Sequence, residues 1–179
     1  MQPEPLGLGH AVLCAADHLL DGPVGVILPD DLILGAPCLA QMAEAFDPAR
    51  MSSLVAAQEV PLRHVSRYGI FDCDARLATG SAAAARGFVE KPSPDRAPSR
   101  LAAVGRYVLS QEIFGVLRGT GEGAGGEIQL TDAIAALGRI HAFRFTGTRH
   151  DCGDKDGLVE ATLAVQALRR TNRMRVAAE

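Results

Sequence analysis

The sequence predicts an α/β fold with a mixed sheet, and three observations point there. Helix-like and strand-like stretches alternate at both ends of the 179 residues. The run 24–28 (VGVIL) is apolar throughout, which predicts burial on both faces, as in a parallel sheet. The middle instead offers short strand candidates separated by Gly, Pro and Ser clusters. Together these describe an α/β unit carrying a strand-rich insertion.

Taken in order, residues 8–20 read as a helix with an apolar stripe of Leu8, Val12, Ala15, Ala16 and Leu19. Gly22-Pro23 stops it. After the strand at 24–28 come a helix over 38–46 and a strand from Met51 to Gln58. Further strands are expected at 68–72, 86–90 and 102–109, with Asp74 to Ala85 a loose turn or hairpin excursion. Helices follow at 111–117 and 127–137, the second with Thr131 and Asp132 as candidate caps. A strand at 140–145 and an amphipathic helix at 155–170 complete the pattern. No repeat or linker divides the chain, so one domain over 1–179 is expected.

Composition narrows the function classes. The chain is 47% hydrophobic and 22% charged, with net charge −3. That balance gives no global attraction to nucleic acid or to an anionic membrane. The basic run Arg169 to Arg175 reads as a solvated helix end, where cations suit the helix dipole. Cys14, Cys38, Cys73 and Cys152 form no Cys-x-x-Cys pair, which argues against a zinc knuckle. The first residues lack a signal-peptide pattern, and no apolar stretch is long enough to span a bilayer. A cytoplasmic protein with free thiols is the expectation.

Two acidic segments carry the chemistry. Residues 24–31 (VGVILPDD) and 143–154 (FRFTGTRHDCGD) each run from apolar residues into aspartate. If both are strands ending side by side in an open sheet, Asp30 and Asp151 meet at the rim where such sheets bind ligands. Two carboxylates there repel unless a cation lies between them, and Mg²⁺ with a bound phosphate is the usual solution. Asp30 is taken as the metal ligand and Asp31 as a cap for the next segment.

Six segments, in order, resemble bacterial UTP–glucose-1-phosphate uridylyltransferases. They are residues 2–12 (QPEPLGLGHAV), 28–31 (LPDD), 66–70 (SRYGI), 89–92 (VEKP), 123–133 (GAGGEIQLTDA) and 150–155 (HDCGDK). The resemblance implies a Rossmann-like nucleotide-diphospho-sugar transferase fold. It also implies conversion of glucose 1-phosphate and UTP to UDP-glucose and pyrophosphate. By the same resemblance Asp30 and Asp151 bind Mg²⁺, and Lys91 holds the sugar phosphate. Glu90 accepts hydrogen bonds from sugar hydroxyls, Gly69 lets the backbone approach the sugar, and Gln2 and Gly7 contact uracil. A homo-oligomer is expected. His10 is read as a helix-face residue, because a phosphate oxyanion needs no base to become nucleophilic. The glycine-rich stretch 119–126 lacks the Lys-Ser/Thr ending of a Walker loop, so it is read as shaping the site.

The resemblance breaks at one place. The family's opening strand and its glycine-rich loop, with Gly-Thr-Arg and a following proline, have no counterpart. Gly147-Thr148-Arg149 repeats the tripeptide but lies just before Asp151, without the proline. The expectations are therefore a fold incomplete at its N-terminus, weak or no transferase activity, and an exposed sheet edge near 24–28. The alternatives are a non-catalytic sugar-nucleotide binding or assembly module, or a related nucleotidyltransferase using another sugar or a thymidine nucleotide.

Overall fold

The computed structural model describes residues 1–73, 76–123 and 126–176, with side chains to residue 171. Asp74 and Ala75 of the expected turn, and Ala124 and Gly125 of the glycine-rich stretch, lie outside the described residues. So do the side chains of Asn172 to Arg175, which hold half of the basic run.

The N-terminal part comprises α1 (Leu8–Leu13), a 3₁₀ turn, β1 (Val24–Ile27), β2 (Asp31–Leu34), α2 (Cys38–Ala45) and β3 (Ser53–Glu59). A second 3₁₀ turn (Leu62–Arg67) leads to β4 (Gly69–Phe71), β5 (Ser81–Ala84), β6 (Phe88–Glu90) and β7 (Leu101–Leu109). The chain then forms α3 (Glu112–Gly119), α4 (Leu130–Leu137), β8 (Ile140–Arg144), β9 (Thr148–Asp151) and α5 (Lys155–Val176).

Seven strands form one sheet in the order β5-β8-β3-β7-β4-β6, with β1 also paired to β7. Among the described residues β3 and β8 run parallel, and the other pairings are antiparallel. The mixed sheet is thus as expected. Its centre is buried on both faces because β3 alternates apolar residues to each side. Val55 and Ala57 pack with Ile113 of α3 and Ile134 of α4, whereas Leu54 and Ala56 pack with Met42 of α2. All seven of these side chains are essentially inaccessible. Burying each of the larger ones is worth about 1.5–3 kcal/mol.

Four expectations need correction. First, β1 is antiparallel to β7, and it is not buried on both faces: Val24 is 7% exposed but Ile27 is 56% exposed. An apolar run reports hydrophobicity, and only neighbouring strands decide whether both faces are covered. Second, the stretch read as a loose turn holds β5, whose Ala82 to Ala84 pair with Phe143 to His141 of β8. Alanines carry little strand signal of their own. Third, α4 begins at Leu130 with Gln129 before it and no side-chain cap bond, so neither Thr131 nor Asp132 caps it. Fourth, Asp30 and Asp151 do not end neighbouring strands of the main sheet: Asp151 ends β9 of a separate two-stranded sheet with β2, and Asp30 lies in the turn just before β2.

Candidate functional site

The β2–β9 ribbon organises the site. Asp31 pairs with Asp151, and Ile33 with Arg149, in antiparallel register. Side chains two apart on a strand share a face, so Arg149 and Asp151 point the same way as Asp31. The ribbon starts after Gly147, where φ is 145° and a Cβ would lie 2.9 Å from the Leu34 carbonyl oxygen. Glycine is therefore required for the two strands to close. At the other end, the Cys152 N–H donates to the Asp30 carbonyl at 2.7 Å. That bond holds the Asp30 and Asp151 backbones together.

Asp31 caps no helix. It opens β2 and is buried, accepting from the Gly105 N–H at 2.7 Å and from Arg149 Nε. Gly105 has to be glycine: a Cβ there would lie 2.6 Å from Leu28 Cβ and 2.7 Å from Asp31 Oδ2. The Arg149 guanidinium bridges Asp31 to Asp151 Oδ2, which lies 3.3 Å from Nη2, and it stacks on the Tyr68 ring with Cζ 5.1 Å from the ring centre. Burial by itself would lower the Arg149 pKa. The charge of Asp31, hydrogen bonds to Asp31 and Tyr68, and the charge of Asp151 together raise it instead. Arg149 is thus held as a cation in a water-poor place.

Asp151 has its two oxygens in different surroundings. Oδ2 accepts from the Tyr68 hydroxyl at 3.0 Å and faces Arg149 and, at 3.8 Å, Arg67. Among the described residues, Oδ1 accepts the Gly153 N–H alone, at 3.1 Å. Burial pushes the Asp151 pKa up, but the Gly153 and Tyr68 hydrogen bonds and the two arginines outweigh it, and the net shift is downward. Asp151 is therefore ionised at neutral pH. Gly153 also locates Asp30: a methyl group placed on it would sit 3.1 Å from Asp151 Oδ1 and 3.8 Å from Asp30 Oδ2. The two acids flank one point.

That point opens into a cleft of about 310 Å³ walled by Asp30, Asp151, Tyr68, Gly69, Glu90 and Tyr107. Gly69 and Glu90 are directly opposed on β4 and β6. A Cβ on Gly69 would come within 3.1 Å of Glu90 Oε2, so the glycine keeps that carboxylate clear. Tyr107 is a neutral donor here. Burial, and then the negative charges of Asp31, Glu90 and Asp30, push its pKa up to about 12.

Lys91 follows Glu90 in a left-handed conformation (φ 43°), with its N–H donating to the Tyr68 carbonyl at 3.0 Å. Its ammonium is 4.0 Å from Glu90 Oε1, beside the cleft and outside its lining. Gln2 and Gly7 are outside the lining of this cleft, with Gly7 against Glu127 and Ile128. Gln2 Nε2 donates to the Gly7 carbonyl at 3.1 Å and sits 3.2 Å from His10 Nδ1. The structure thus brings Asp30, Asp151, Gly69 and Glu90 together and places Lys91 at their edge, while Gly7 packs on Glu127 and Ile128, just before the Gln129 that lines the same cleft.

A larger cleft of about 380 Å³ opens on the far side of the wall formed by Arg67, Tyr68 and Asp151. It includes Asp151 but not Asp30, Gly69 or Glu90, so it is the smaller cleft that Asp30 and Asp151 share.

Reasoning from sequence missed Asp31 as a buried acceptor, and it missed Tyr68, Gly105, Tyr107 and Arg149. One signal was available for Arg149: it stands two residues before Asp151, on the same face of any strand that ends there. Asp31 and Gly105 carried no local signal, since they meet only through the fold.

Comparison with known proteins agrees with this fold. The sequence matches the family described as Nucleotidyl transferase over residues 1–167. It is 44% identical over 172 residues to the UTP–glucose-1-phosphate uridylyltransferase YngB of Bacillus subtilis, covering 94% of this chain and 57% of that protein. It is 46% identical over 165 residues to the UTP–glucose-1-phosphate uridylyltransferase of Escherichia coli K12, covering 87% and 54%. The fold superimposes on a UDP-glucose pyrophosphorylase from Acinetobacter baumannii with TM-score 0.84 and 34% identity, over 99% of this chain and 64% of that one. A UDP-glucose pyrophosphorylase structure complexed with UDP-glucose matches with TM-score 0.82 and 38% identity, over 93% and 64%. The chain spans a little over half the length of the curated relatives it matches. On its sequence and its fold, the chain belongs to the nucleotidyl transferase family.

Proposed function

We propose that this chain carries the metal and sugar-phosphate side of a UTP–glucose-1-phosphate uridylyltransferase site, within a single nucleotidyltransferase domain. A phosphate oxygen of glucose 1-phosphate bonds to the α-phosphorus of UTP, the α–β bridging bond breaks, and pyrophosphate leaves. The observation that carries this reading is the convergence of Asp30 and Asp151 at Gly153, beside the Gly69–Glu90 pair. The names of the relatives supply the substrates.

The donor set fits Mg²⁺. Two hard carboxylates, one at the end of β9 and one in the turn before β2, leave the remaining positions to phosphate oxygens and water, as that ion prefers. Among the described residues no cluster of three or more acidic, His or Cys side chains forms a closed cage, and a site completed by substrate oxygens needs none. Held by Asp30 and Asp151, Mg²⁺ would neutralise the charge of the reacting phosphates. Lys91 would hold the sugar phosphate as a point charge, and Glu90 would accept from sugar hydroxyls. Gly69 keeps side-chain bulk away from the sugar, and the Tyr107 hydroxyl offers a fixed donor. Gln2 and Gly7 would meet the uracil edge. Catalysis here is positioning and charge neutralisation.

Within the 179 residues nothing matches the family's Gly-Thr-Arg loop that faces the triphosphate. Each missing preorganised contact of that kind costs about 10²–10³ in rate. This favours, as a second reading for these residues taken alone, sugar-nucleotide binding without rapid turnover. A homo-oligomer in the cytoplasm completes the proposal. Among the described residues no helix is long and apolar enough to cross a membrane.

The test pairs calorimetry with a radiometric assay. UDP-glucose is expected to bind the purified chain with Mg²⁺ present, and Asp30→Asn or Asp151→Asn to abolish the Mg²⁺-dependent part. Failure of the chain to bind UDP-glucose or glucose 1-phosphate, with or without Mg²⁺, would overturn the reading. Near-normal turnover of [¹⁴C]glucose 1-phosphate with UTP would overturn the slow-turnover expectation alone.

A further inference from the structure

The two oxygens of Asp151 are treated differently, and that asymmetry has a chemical consequence. Oδ2 is engaged by the Tyr68 hydroxyl at 3.0 Å and by Arg149 Nη2 at 3.3 Å, with Arg67 at 3.8 Å. Arg149 cannot swing away, because Asp31 holds Nε and its side chain is only 8% exposed. Asp31 is in turn pinned by the Gly105 N–H at 2.7 Å. Tyr68 is located by its own carbonyl, which accepts from the Lys91 N–H. Among the described residues, Oδ1 carries only the Gly153 N–H, and it faces the point shared with Asp30 Oδ2.

We propose that Arg149 and Tyr68 act as positioning residues that occupy Asp151 Oδ2, force Asp151 to bind a divalent cation through Oδ1 alone, and so select Mg²⁺ over Ca²⁺. The inference rests on the reading of Asp30 and Asp151 as the metal pair. The physical basis is a difference between the ions. Mg²⁺ takes six ligands in a tight octahedron and accepts carboxylates one oxygen at a time. Ca²⁺ takes six to eight at longer distances and often binds both oxygens of one carboxylate. A carboxylate with one oxygen already committed to an arginine and a phenol offers Ca²⁺ no second oxygen. Outer-shell partners of this kind orient first-shell ligands and are worth about 10- to 100-fold in metal affinity.

The experiment measures Mn²⁺ binding to the full chain by electron paramagnetic resonance, followed by competition with Mg²⁺ and with Ca²⁺. Four proteins are compared: the parent chain, Arg149→Met, Tyr68→Phe and Asp151→Asn. The parent is expected to bind Mn²⁺ and to release it to Mg²⁺ at lower concentration than to Ca²⁺. Tyr68→Phe keeps the ring under Arg149 and removes only the hydroxyl, so it remains informative if Arg149→Met does not fold. Either folded variant is expected to lose about tenfold of the Mg²⁺ preference, the low end of the outer-shell effect, with Ca²⁺ gaining relative to Mg²⁺. A merely structural role would weaken both ions alike and leave the ratio unchanged. An unchanged ratio in folded Tyr68→Phe, with Asp151→Asn losing Mn²⁺, would overturn the positioning role and leave the metal pair standing. Parent-like Mn²⁺ binding by Asp151→Asn, or no binding by the parent, would overturn the metal pair and the inference with it.

Discussion

On the ribbon side of the cleft, Arg149 and Asp31 leave only 8% and 6% of their side chains exposed, whereas on the β4–β6 side Glu90 and Lys91 leave 60% and 66% exposed. Both sides carry charge, but they hold it by different means. The ribbon fixes Asp31 and Asp151 through a chain of ion pairs and hydrogen bonds, in which each member is placed by another, and it ties the exposed Asp30 by its backbone carbonyl to the Cys152 N–H. The β4–β6 side sets its charges chiefly through the backbone: Gly69 faces Glu90 across a strand pair, and Lys91 turns at φ 43°. On the proposed reading, the partly buried network gives Asp151 a fixed direction for a metal, and a sugar phosphate arriving from solvent would meet exposed side chains that can adjust.

That contrast can be broken by experiment. The largest effect is expected for Arg149→Met, which strands the Asp31 carboxylate in the interior with the Gly105 N–H. Removing one partner of a buried pair costs about 3–5 kcal/mol, read as a lowered urea midpoint. Lys91→Met, at an exposed position, should change stability by less than about 0.5 kcal/mol. Equal costs for these two would end the distinction between the walls.

Gly105→Ala comes next. Its methyl would meet Leu28 Cβ at 2.6 Å and Asp31 Oδ2 at 2.7 Å, and overpacking of that kind costs about 1–3 kcal/mol. The same variant should weaken Mn²⁺ binding, because Asp31 cannot move without Arg149. Lys91→Ala should leave the urea midpoint in place and weaken glucose 1-phosphate binding about tenfold, consistent with one charge-assisted contact, as calorimetry would read.

The smallest effect is in acid. The Asp151 pKa is lowered in the fold from 3.8, so its stabilisation is complete above that ordinary value. It is lost as pH falls below 3.8 toward the folded value. Asp151→Asn should therefore remove part of the acid sensitivity below pH 3.8 and change none of the pH dependence above it. Thermal melts between pH 2 and 6 would show this. An unchanged acid limb would mean that the network does not act on the Asp151 charge.

Much of the site was legible from residues alone, for identifiable reasons. Asp30 after Leu-Pro, Gly69 after Tyr68, Glu90 before Lys91 and Asp151 in an Asp-Cys-Gly-Asp turn stand in short local motifs. Motifs survive translation into structure because neighbours in sequence stay neighbours in space. Asp31 resisted, since the two groups that define it lie 74 and 118 residues away at Gly105 and Arg149. The ribbon resisted for the same reason. β2 and β9 are four residues each, with most of the main sheet's strands between them in sequence, and neither has a strong alternating pattern. β1 misled because its apolar run records what it could bury, and only the arrangement of β7 around it decided what it did bury.

The amino-acid sequence by itself determined the class of fold, the family motifs and the residue types that gather at the cleft. Those depend on local hydrophobic pattern, turn chemistry and short spacing. Tertiary structure alone decided that Asp30 and Asp151 meet where β9 joins the turn before β2, that Asp31 is buried, and that Arg149 and Tyr68 claim one oxygen of Asp151 and leave the other to the Gly153 N–H. Those features arise where distant segments pack and water is excluded, so that a charge must find its partner across the fold.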